Sequence, residues 1–466
     1  MNPLTAVILA AGKGTRMKSS RPKVLHPVCG RPMISHVVDA ARTAGAKDIV
    51  LVINPEMTAI KDLFGDRVKY AYQEEQLGTG HAVGAARSLV DPTGEVLVLC
   101  GDTPLLAGPV LAELINAHRL AQASATVLTA ELADATGYGR IVHSATGAIE
   151  RIVEEKDANP EEKAIREVNT GSYCFDAQSL FSALERVGCD NAQGEYYLTD
   201  VLPIMRTDGQ LVQAYLASKP ILTQGINNRV QLAEAEAFMR SQIREHHMLN
   251  GVTILDPNST FIDAAVTIGA DTVLYPFTIL QGETVIESNC IIGPSVQVKD
   301  STIKEGTQVR HAVLQEVQVG PGADVGPFTN LRPGTVLAEN SKAGTFVEIK
   351  KSYVGPNSKV PHLSYVGDAK LGNSSNIGAG TITCNYDGTK KHVTIIEDNV
   401  FIGSNTNLVA PVKIGHGAYT GAGSTIYKDV PPGALAIERA EQKNIEGWVE
   451  KRRQKLSCEK SKSKLE

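Results

Sequence analysis

A glycine-rich turn follows the first apolar run of the chain, and two basic residues come soon after it. The turn is 12–14, and Arg16 and Lys23 follow. Backbone N–H groups of such a turn can approach a phosphate or a base closely. A later apolar run ends in Gly101-Asp102, where a carboxylate could hold a hard cation. These residues predict phosphate chemistry with a cation, although Asp102 alone could cap a turn and Lys23 could be a surface charge.

The glycine turn matches neither of two well-known phosphate motifs. The Gly-Lys-Ser/Thr of a Walker A loop is absent from the required place, and Met17 stands where a dinucleotide fingerprint needs its third glycine. The turn is followed by Lys23, by the segment Gly-Arg-Pro-Met at 30–33 and by the segment Gln-Leu-Gly-Thr-Gly-His-Ala at 76–82. Taken together, these motifs resemble the sugar-phosphate nucleotidylyltransferase family. The resemblance implies that a sugar 1-phosphate attacks the α-phosphorus of a nucleoside triphosphate. Because that nucleophile is already an anion, the reaction needs alignment and charge neutralisation and no general base.

The same resemblance implies a role for each matching residue. Arg16 and Lys23 would be catalytic on the phosphates, and Asp102 and Asn227 would hold Mg²⁺. Contacts to UTP and the sugar nucleotide are implied for Leu9, Ala10, Ala11, Gly12, Lys23, Gln73, Gly78, Thr79, Cys100, Gly101, Asp102, Gly139, Glu154, Asn169 and Asn227.

A second set of polar residues surrounds a histidine in the C-terminal half. Neutral His362 could accept a proton near pH 7. Arg332 and Lys350 could bind an anion, and Tyr365, Asn376, Asn385 and Tyr386 add further polar side chains. A lone histidine is more often structural, so the residue types alone leave both interpretations open.

The elements that must position the first set are those of an α/β domain. Apolar runs of the kind buried in a parallel sheet alternate with helix-like stretches, and ligands of such sheets bind at the carboxyl ends of strands. We therefore expect a Rossmann-like, mostly parallel sheet. The predicted strands are Val7–Ala11, Ile49–Ile53, Val96–Cys100 and Ala125–Thr129, and the predicted helices are Met33–Ala44 and Val110–Ala121.

Residues 229–249 predict one long helix, because they lack Gly and Pro and carry apolar residues at helical spacing. After about 252, aliphatic residues recur every six positions, which is typical of a parallel β-helix. We expect triangular coils of about 18 residues, stacked about 4.8 Å apart, with Gly or Asn at the corners. An all-β sandwich is the less favoured alternative. The repeating positions are Ile262, Ile268, Leu274, Leu280, Ile286, Ile292, Val298; Val319, Val325, Leu331, Leu337, Ala343, Ile349; and Ile396, Ile402, Leu408, Ile414, Thr420, Ile426.

The repeat is interrupted at 381–395, which predicts a projecting loop at a binding face. Around it the chain resembles the hexapeptide-repeat acetyltransferases, in which the residue matching His362 is the catalytic base. The implied reaction is attack of a sugar amine on a thioester, with His362 taking the proton of the amine. Arg332 and Lys350 would then bind the sugar phosphate, and Tyr365 and Asn376 would orient the sugar. The crossover rule favours a right-handed β-helix, whereas the resemblance implies a left-handed one. It also implies that acetyl-CoA contacts Ala379, Asn385, Tyr386, Ser404, Ala422 and Arg439.

Both halves, over about 3–450, resemble a bacterial family of bifunctional enzymes. The implied reactions are acetyl transfer from acetyl-CoA to glucosamine 1-phosphate, and then uridylyl transfer from UTP to N-acetylglucosamine 1-phosphate. The product, UDP-N-acetylglucosamine, is a precursor of cell-wall polymers, and a homotrimer is implied. The expected segments are a nucleotidyltransferase domain (1–228), a helical arm (229–250), a β-helix acetyltransferase domain (251–437) and a C-terminal helix or tail (438–466).

Two alternatives stay open on the residues alone. One is a nucleotidylyltransferase with a single activity, whose β-helix is structural or regulatory; the other is a non-enzymatic scaffold. One residue departs from the family pattern, because Cys100 stands where a Tyr is expected. We expect this difference to affect packing or a backbone contact rather than the chemistry.

Composition excludes several classes of protein. A net charge of −5 disfavours a nucleic-acid binder with a large basic face. No apolar run is long enough to span a membrane, and no basic residue precedes the apolar N-terminus as in a signal peptide. Seven scattered cysteines without a CxxC favour a reducing cytoplasm. The many glycines (42) and few aromatic residues (5%) fit a narrow β-helix interior.

Overall fold

The computed structural model describes residues 2–12, 14–144 and 147–462, without the side chains of 460–462. Within these residues the chain forms two compact units. The α/β unit runs to His246 and includes Ile262–Ala265, and the β-helix unit comprises His247–Phe261 and the described residues from Val266 onward.

The α/β unit alternates strands and helices along the chain. Its strands are β1 Leu4–Leu9, β2 Pro27–Val28, β3 Arg31–Pro32, β4 Asp48–Ile53, β5 Lys69–Tyr72, β6 Glu95–Cys100, β7 Ala125–Glu131, β8 Arg140–His143, β9 Ile149–Val153, β10 Glu167–Asp176 and β11 Val212–Leu216. Its helices are α1 Met33–Thr43, α2 Thr58–Phe64, α3 Thr79–Ala85, α4 Gly108–Ala121, α5 Pro160–Lys163, α6 Ala177–Leu184 and α7 Val201–Thr207. Short 3₁₀ turns lie at Thr15–Met17, Lys23–Leu25, Gly65–Arg67, Arg87–Leu89, Leu198–Asp200 and Pro220–Thr223.

The main sheet has the strand order β11-β7-β10-β6-β1-β4-β5, with β8 and β9 attached beside β10. Strand β10 runs antiparallel to both β6 and β7, while β1 is parallel to β4 and β6. The predicted mostly parallel sheet is therefore confirmed, with β10 as an antiparallel exception. Because β1, β4, β5 and β6 are parallel, their carboxyl ends meet at one edge.

Both faces of the sheet are buried, as its unbroken apolar strands require. Along β1, Ala6 and Ile8 pack on the side of α1 and α4, and Val7 packs on the opposite side. A buried apolar centre on each side thus holds the loops at the carboxyl ends of the strands.

The predicted long helix is present as α8, Arg229–Leu249. Its Leu232, Ala235, Met239 and Ile243 pack with Val28 and neighbouring apolar residues. These four positions recur at three- or four-residue intervals, which is the spacing of one helix face.

The β-helix unit is a stack of coils with three parallel faces. Face 1 contains the strands Thr253–Ile254, Val273–Leu274, Ile291–Ile292, Gln308–Val309, Asp324–Val325, Lys342–Thr345, Lys359–His362, Asn376–Ile377, Phe401–Ile402, Tyr419–Thr420 and Leu435–Ala436. Face 2 contains Phe261–Ile262, Thr278–Gln281, Val296–Lys299, Ala312–Gln315, Thr329–Arg332, Glu348–Lys350, Tyr365–Gly367, Ile382–Cys384, Asn407–Val409 and Thr425–Ile426. Face 3 contains Thr267–Ile268, Val285–Ile286, Thr302–Ile303, Gln318–Val319, Val336–Leu337, Tyr353–Val354, Ala369–Leu371, Thr394–Ile396 and Val412–Ile414.

Each strand pairs in parallel with the equivalent strand of the next coil, as Ile349 with Val366 shows. This arrangement confirms the predicted stack of triangular coils and agrees with a left-handed parallel β-helix. The six-residue repeat correctly identified the interior, since all of its positions are buried except Ile268, which is half-buried.

Residues with positive φ recur once per coil in three columns, and these mark the corners. One column follows the prediction, with small polar residues and glycine such as Asn289, Gly306 and Asn340. The corner between faces 1 and 2 contradicts it. Here Phe277, Ser295, His311, Phe328, Phe346 and Leu363 adopt φ between 43° and 61°. We call this column the aromatic corner.

The predicted projecting loop is shorter than expected. Ile382–Cys384 and Thr394–Ile396 are regular strands, so the extra residues are 385–393. Their flanks remain in register, with Thr383 beside Leu408 and Thr394 beside Ala369. The C-terminal segment forms an exposed helix, α9 Trp448–Lys462. No helix within the described part of the chain is long and apolar enough to cross a membrane.

Candidate active sites

The first site lies at the carboxyl edge of the main sheet, in a cavity of about 260 Å³. The loop after β1 forms one wall, and Ala10 donates its N–H to the carbonyl of Val52 (2.9 Å). The predicted residues that the structure brings together around the cavity are Leu9, Ala10, Ala11, Gly12, Lys23, Gln73, Gly78, Thr79, Cys100 and Asp102. Gly101 lies in the same wall, since its N–H donates to the carbonyl of Leu9 (2.9 Å).

The two predicted metal ligands point at one cationic atom. The Lys23 ammonium forms an ion pair with Asp102 Oδ2 and donates to Asn227 Oδ1 (3.1 Å). Arg16 donates to the same oxygen of Asn227 (2.8 Å). Carboxylate and amide oxygens are hard donors that suit Mg²⁺, which usually takes one or two protein ligands and completes its shell with phosphates and water. The residues present therefore fit a divalent cation.

In the described part of the chain, no group of three or more His, Cys, Asp or Glu could hold a metal ion. A cation held by Asp102 and Asn227 would thus depend on ligands from a substrate. This is the arrangement expected where the metal works on phosphates.

A neighbouring group contains the remaining predicted residues, which do not line the cavity. Asn169 donates its N–H to the carbonyl of Gly139 (2.8 Å), and a Cβ added to Gly139 would lie 3.2 Å from Glu154 Oε1. Burial, together with the carboxylates of Asp157, Asp200 and Glu195, raises the pKa of Glu154. Tyr173 Oη accepts a hydrogen bond from Asn169 Nδ2 (2.7 Å), which orients that amide.

Cys100 links this group to the cavity. Its Sγ lies 3.5 Å from the carbonyl oxygen of Gly171. Burial, with a smaller effect of Asp102, raises the pKa of the thiol to about 12. The thiol is therefore neutral at physiological pH and acts here as a packing group.

Four residues that line the cavity were not predicted as site residues, namely Val24, Gln76, Ala82 and Glu195. Of these, Gln76 donates to the carbonyl of Ala11 (2.5 Å). Gln76 lies within the motif 76–82, so its motif could have indicated it. Glu195 has no sequence signal, because its loop reaches the cavity through contacts with a distant segment. Tyr196 forms backbone hydrogen bonds with Leu77 (2.8 Å) and Gly80 (2.7 Å).

The second set of predicted residues lies along face 2 of the β-helix, from the aromatic corner at one end to the corner with face 3 at the other. Arg332 and Lys350 occupy equivalent positions on adjacent strands of face 2. Gly367 occupies the same position on the next strand. Lys350 Nζ is 3.8 Å from Asp368 Oδ2, which also accepts from Asn385 Nδ2 (2.6 Å). The loop 385–393 is thereby tied to the strand that carries Lys350.

Lys391 is a residue that the sequence did not indicate. The pKa of Lys350 is lowered mainly by its contact with Lys391 and to a smaller extent by desolvation. Lys391 is in the loop, where Tyr386 and Lys391 form an antiparallel bridge. Two ammonium groups beside each other favour binding of an anion.

His362 ends a strand of face 1, immediately before the corner residue Leu363. Its side chain is exposed, and its ring makes no hydrogen bond within the described residues. Its backbone carbonyl accepts from the N–H of Gly380 (3.3 Å), so the next coil lies directly against it. Tyr365 begins the adjacent strand of face 2, and Asn376 begins the next strand of face 1.

Along the aromatic corner, the residues with positive φ change from bulky to small in the coil that follows His362. Leu363 is followed in the next coils by Gly380, Asn405 and Gly423. The predicted acetyl-CoA residues Ala379, Ser404 and Ala422 immediately precede these three in the sequence. The stack therefore places them in one column beside a shallow corner, and Arg439 donates to the carbonyl of Ala422 (3.0 Å).

Comparisons with known proteins show which families the two units resemble. A nucleotidyl transferase family model matches residues 5–220, a GMPPB C-terminal domain model matches 255–360, and a bacterial transferase hexapeptide model matches 394–428. The protein named Bifunctional protein GlmU from Heliobacterium modesticaldum is 55% identical over 450 residues, which cover 96% of this chain and 98% of the relative. Proteins of that name from Geobacillus sp. and Halalkalibacterium halodurans are each 52% identical, over 96% of this chain and 97% and 98% of theirs.

Proposed function

The chain belongs to the family of proteins named Bifunctional protein GlmU, and from this premise we propose how its two sites act. It is an enzyme with two activities, uridylyl transfer to N-acetylglucosamine 1-phosphate and acetyl transfer to glucosamine 1-phosphate. The full-length match to relatives named bifunctional favours this over a single activity or a scaffold. We assign uridylyl transfer to 1–228 and acetyl transfer to 251–437, with 229–250 as an arm and 438–466 as a terminal helix and tail.

The observation that carries the first activity is the convergence of Asp102 and Asn227 on the Lys23 ammonium. We assign these two oxygens to Mg²⁺. A bound Mg²⁺ would supply charge neutralisation at the phosphates of UTP. With Asp102 and Asn227 holding the cation, Lys23 and Arg16 would contact phosphate oxygens and would align the α-phosphorus with the attacking phosphate.

The uridine and sugar parts of the substrates would occupy separate walls. The loop after β1, with Gln73, Gly78 and Thr79, would hold the base and ribose in the cavity. Gly139, Glu154 and Asn169 would hold the N-acetylglucosamine moiety beside it. The hydrogen bond from Asn169 to Tyr173 supports this role, because it fixes the amide in one orientation.

In the second site His362 is the proposed base. Its exposed ring, without a competing hydrogen bond in the described residues, can accept the proton of the sugar ammonium group. Arg332, Lys350 and Lys391 would bind the sugar phosphate, and Tyr365 and Asn376 would orient the ring. The shallow corner would take acetyl-CoA along Ala379, Ser404 and Ala422, with Asn385, Tyr386 and Arg439 at its sides.

We propose a homotrimer as the assembly. Phe277, Phe328, Phe346 and Leu363 are between 56% and 65% exposed, and each adopts a left-handed conformation that is costly for a bulky residue. The rings of Phe328 and Phe346 stack with centroids 5.1 Å apart. Such an apolar column indicates a surface that other copies cover. The free thiols of all seven cysteines support a cytoplasmic location.

Product mass tests the two activities. The protein is incubated with glucosamine 1-phosphate, acetyl-CoA, UTP and Mg²⁺, and the expected product is UDP-N-acetylglucosamine with release of CoA and pyrophosphate. With acetyl-CoA omitted, N-acetylglucosamine 1-phosphate must restore product. UDP-glucosamine as the main product, or no CoA release, would contradict the proposal. Sedimentation of the same preparation should give a trimer, and a monomer would contradict the assembly.

A further inference from the structure

Gln73 is a buried amide whose orientation the structure defines. It follows β5, lines the cavity of the first site and is only 4% exposed. Its Nε2 donates to the carbonyl of Gly78 (3.0 Å) and lies 3.2 Å from Nδ1 of His81. Because a carbonyl can only accept, the nitrogen and not the oxygen of the amide faces Gly78.

The contact with His81 defines the proton position of that ring. The amide nitrogen can only donate, so Nδ1 of His81 must be an unprotonated acceptor, and the ring proton is on Nε2. Both hydrogens of the Gln73 amide are then engaged by Gly78 and by His81 on α3. Within the described residues Oε1 has no hydrogen-bond partner, so an acceptor is the group that Gln73 offers to a ligand.

We propose that His81 is a positioning residue that sets the base preference of the nucleotide site. The proposal rests on uridylyl transfer as proposed above, with Gln73 at the base. A fixed Oε1 accepts a hydrogen bond from the N3–H of uracil or thymine. Cytosine carries a lone pair at N3, which would face the lone pairs of Oε1. The site therefore selects pyrimidines with an N3–H, which favours UTP over CTP and does not separate UTP from dTTP.

Three variants of His81 separate this role from a structural one. His81→Leu removes the acceptor, and His81→Gln places its amide near the position of the distant ring nitrogen Nε2. His81→Asn places an oxygen where Nδ1 lies and serves as the conservative rescue. For each variant, kcat/KM is measured with UTP and with CTP at saturating N-acetylglucosamine 1-phosphate, through release of pyrophosphate. Acetyl transfer by the same preparations reports whether the β-helix unit is folded.

We expect the UTP-to-CTP ratio of kcat/KM to fall about five- to tenfold in His81→Leu and His81→Gln, as for loss of one hydrogen bond. In His81→Asn it should stay within about twofold of the wild-type ratio. If His81→Leu does not fold, the UTP-to-CTP ratios of His81→Gln and His81→Asn are compared with each other instead. An unchanged ratio in both His81→Leu and His81→Gln, or an equal fall in His81→Asn, would overturn the role of His81.

Failure of the proposed uridylyl transfer gives a different result. Wild-type protein would then release no pyrophosphate from UTP, whatever the residue at 81. Equilibrium binding of UTP and CTP to the same variants would still decide the role of His81, because the ratio of the two affinities needs no turnover. Equal affinities for UTP and CTP in the wild type would overturn it.

Discussion

In the α/β unit, the side chains that converge at the proposed phosphate site come from opposite ends of the unit, whereas in the β-helix they come from neighbouring coils. Lys23 contacts Asn227 across 204 positions of sequence. Arg332 and Lys350 are adjacent because equivalent positions of successive coils pair with each other. The first site is therefore a product of sheet topology, and the second is a product of a repeat.

The difference teaches that the two sites have separate structural supports. The residues of the first site are held by strands of the main sheet and by the segments beside them, and those of the second are held by coils around face 2. Every residue assigned to one site lies in one unit. Substitutions at one site should accordingly leave the other activity intact.

His362→Ala should give the largest effect. Loss of the proposed base should lower acetyl transfer by about 10²- to 10⁴-fold, and uridylyl transfer from supplied N-acetylglucosamine 1-phosphate should be unchanged. CoA release and pyrophosphate release are measured on one preparation. His416→Ala, at an exposed histidine of the same unit, is the matched control and should keep both activities. A parallel loss of both activities in His362→Ala would break the comparison.

Asp102→Ala should give the reverse pattern with a somewhat smaller effect. Loss of a metal ligand should lower pyrophosphate release at least about hundredfold, and acetyl transfer should persist. A titration with Mg²⁺ should show a weaker apparent affinity in Asp102→Asn, which keeps an oxygen but loses the charge. Asp66→Ala, at an exposed position of the same unit, is the control. Full activity of Asp102→Ala would contradict the metal site.

Lys391→Ala should give the smallest effect and would sharpen the account of the second site. Removing one of two adjacent ammonium groups should raise KM for glucosamine 1-phosphate about tenfold. Lys304→Ala, at a surface ion pair with Glu287, is the control and should leave KM unchanged.

The pH dependence of the same variant tests the pairing directly. Lys391 lowers the pKa of Lys350, so the wild-type enzyme loses the Lys350 charge at a lower pH than an ordinary lysine would. KM for glucosamine 1-phosphate should therefore begin to rise at a lower pH in the wild type. In Lys391→Ala that rise should shift to higher pH, and an unshifted profile would show that the two lysines do not interact.

Sequence patterns predicted the frame of both units because the patterns reflect burial. The six-residue repeat identified the interior of the β-helix, since buried aliphatic residues fill nearly all of its positions. Four strands of the α/β unit, β1, β4, β6 and β7, were likewise visible as apolar runs, whereas β10 was not predicted. Residues that act through the approach of distant segments were not visible. Glu195 reaches the cavity on a loop held by backbone hydrogen bonds, and Lys391 meets Lys350 only because the loop 385–393 folds back.

The aromatic corner shows a second limit. Glycine and Asn were expected at positive φ because they adopt it at little cost, yet Phe328 and Phe346 adopt it here. Rules of local conformation apply to one residue at a time. Stacking between coils compensates part of the local cost, and the proposed burial against another copy would compensate more. Neither effect is readable from one turn.

The stacking of coils also has a consequence for how the chain is made. Each coil pairs with the one before it, so a ribosome that releases the chain from the N-terminus delivers each new coil to an existing template. The α/β unit cannot grow in this way, because the phosphate site waits for Asn227, the last of its residues to be synthesised. We therefore expect the uridylyl transfer site to form in a single late step, whereas the β-helix elongates coil by coil. The surroundings of His362 should form only when the coil that contains Gly380 pairs with the coil of His362.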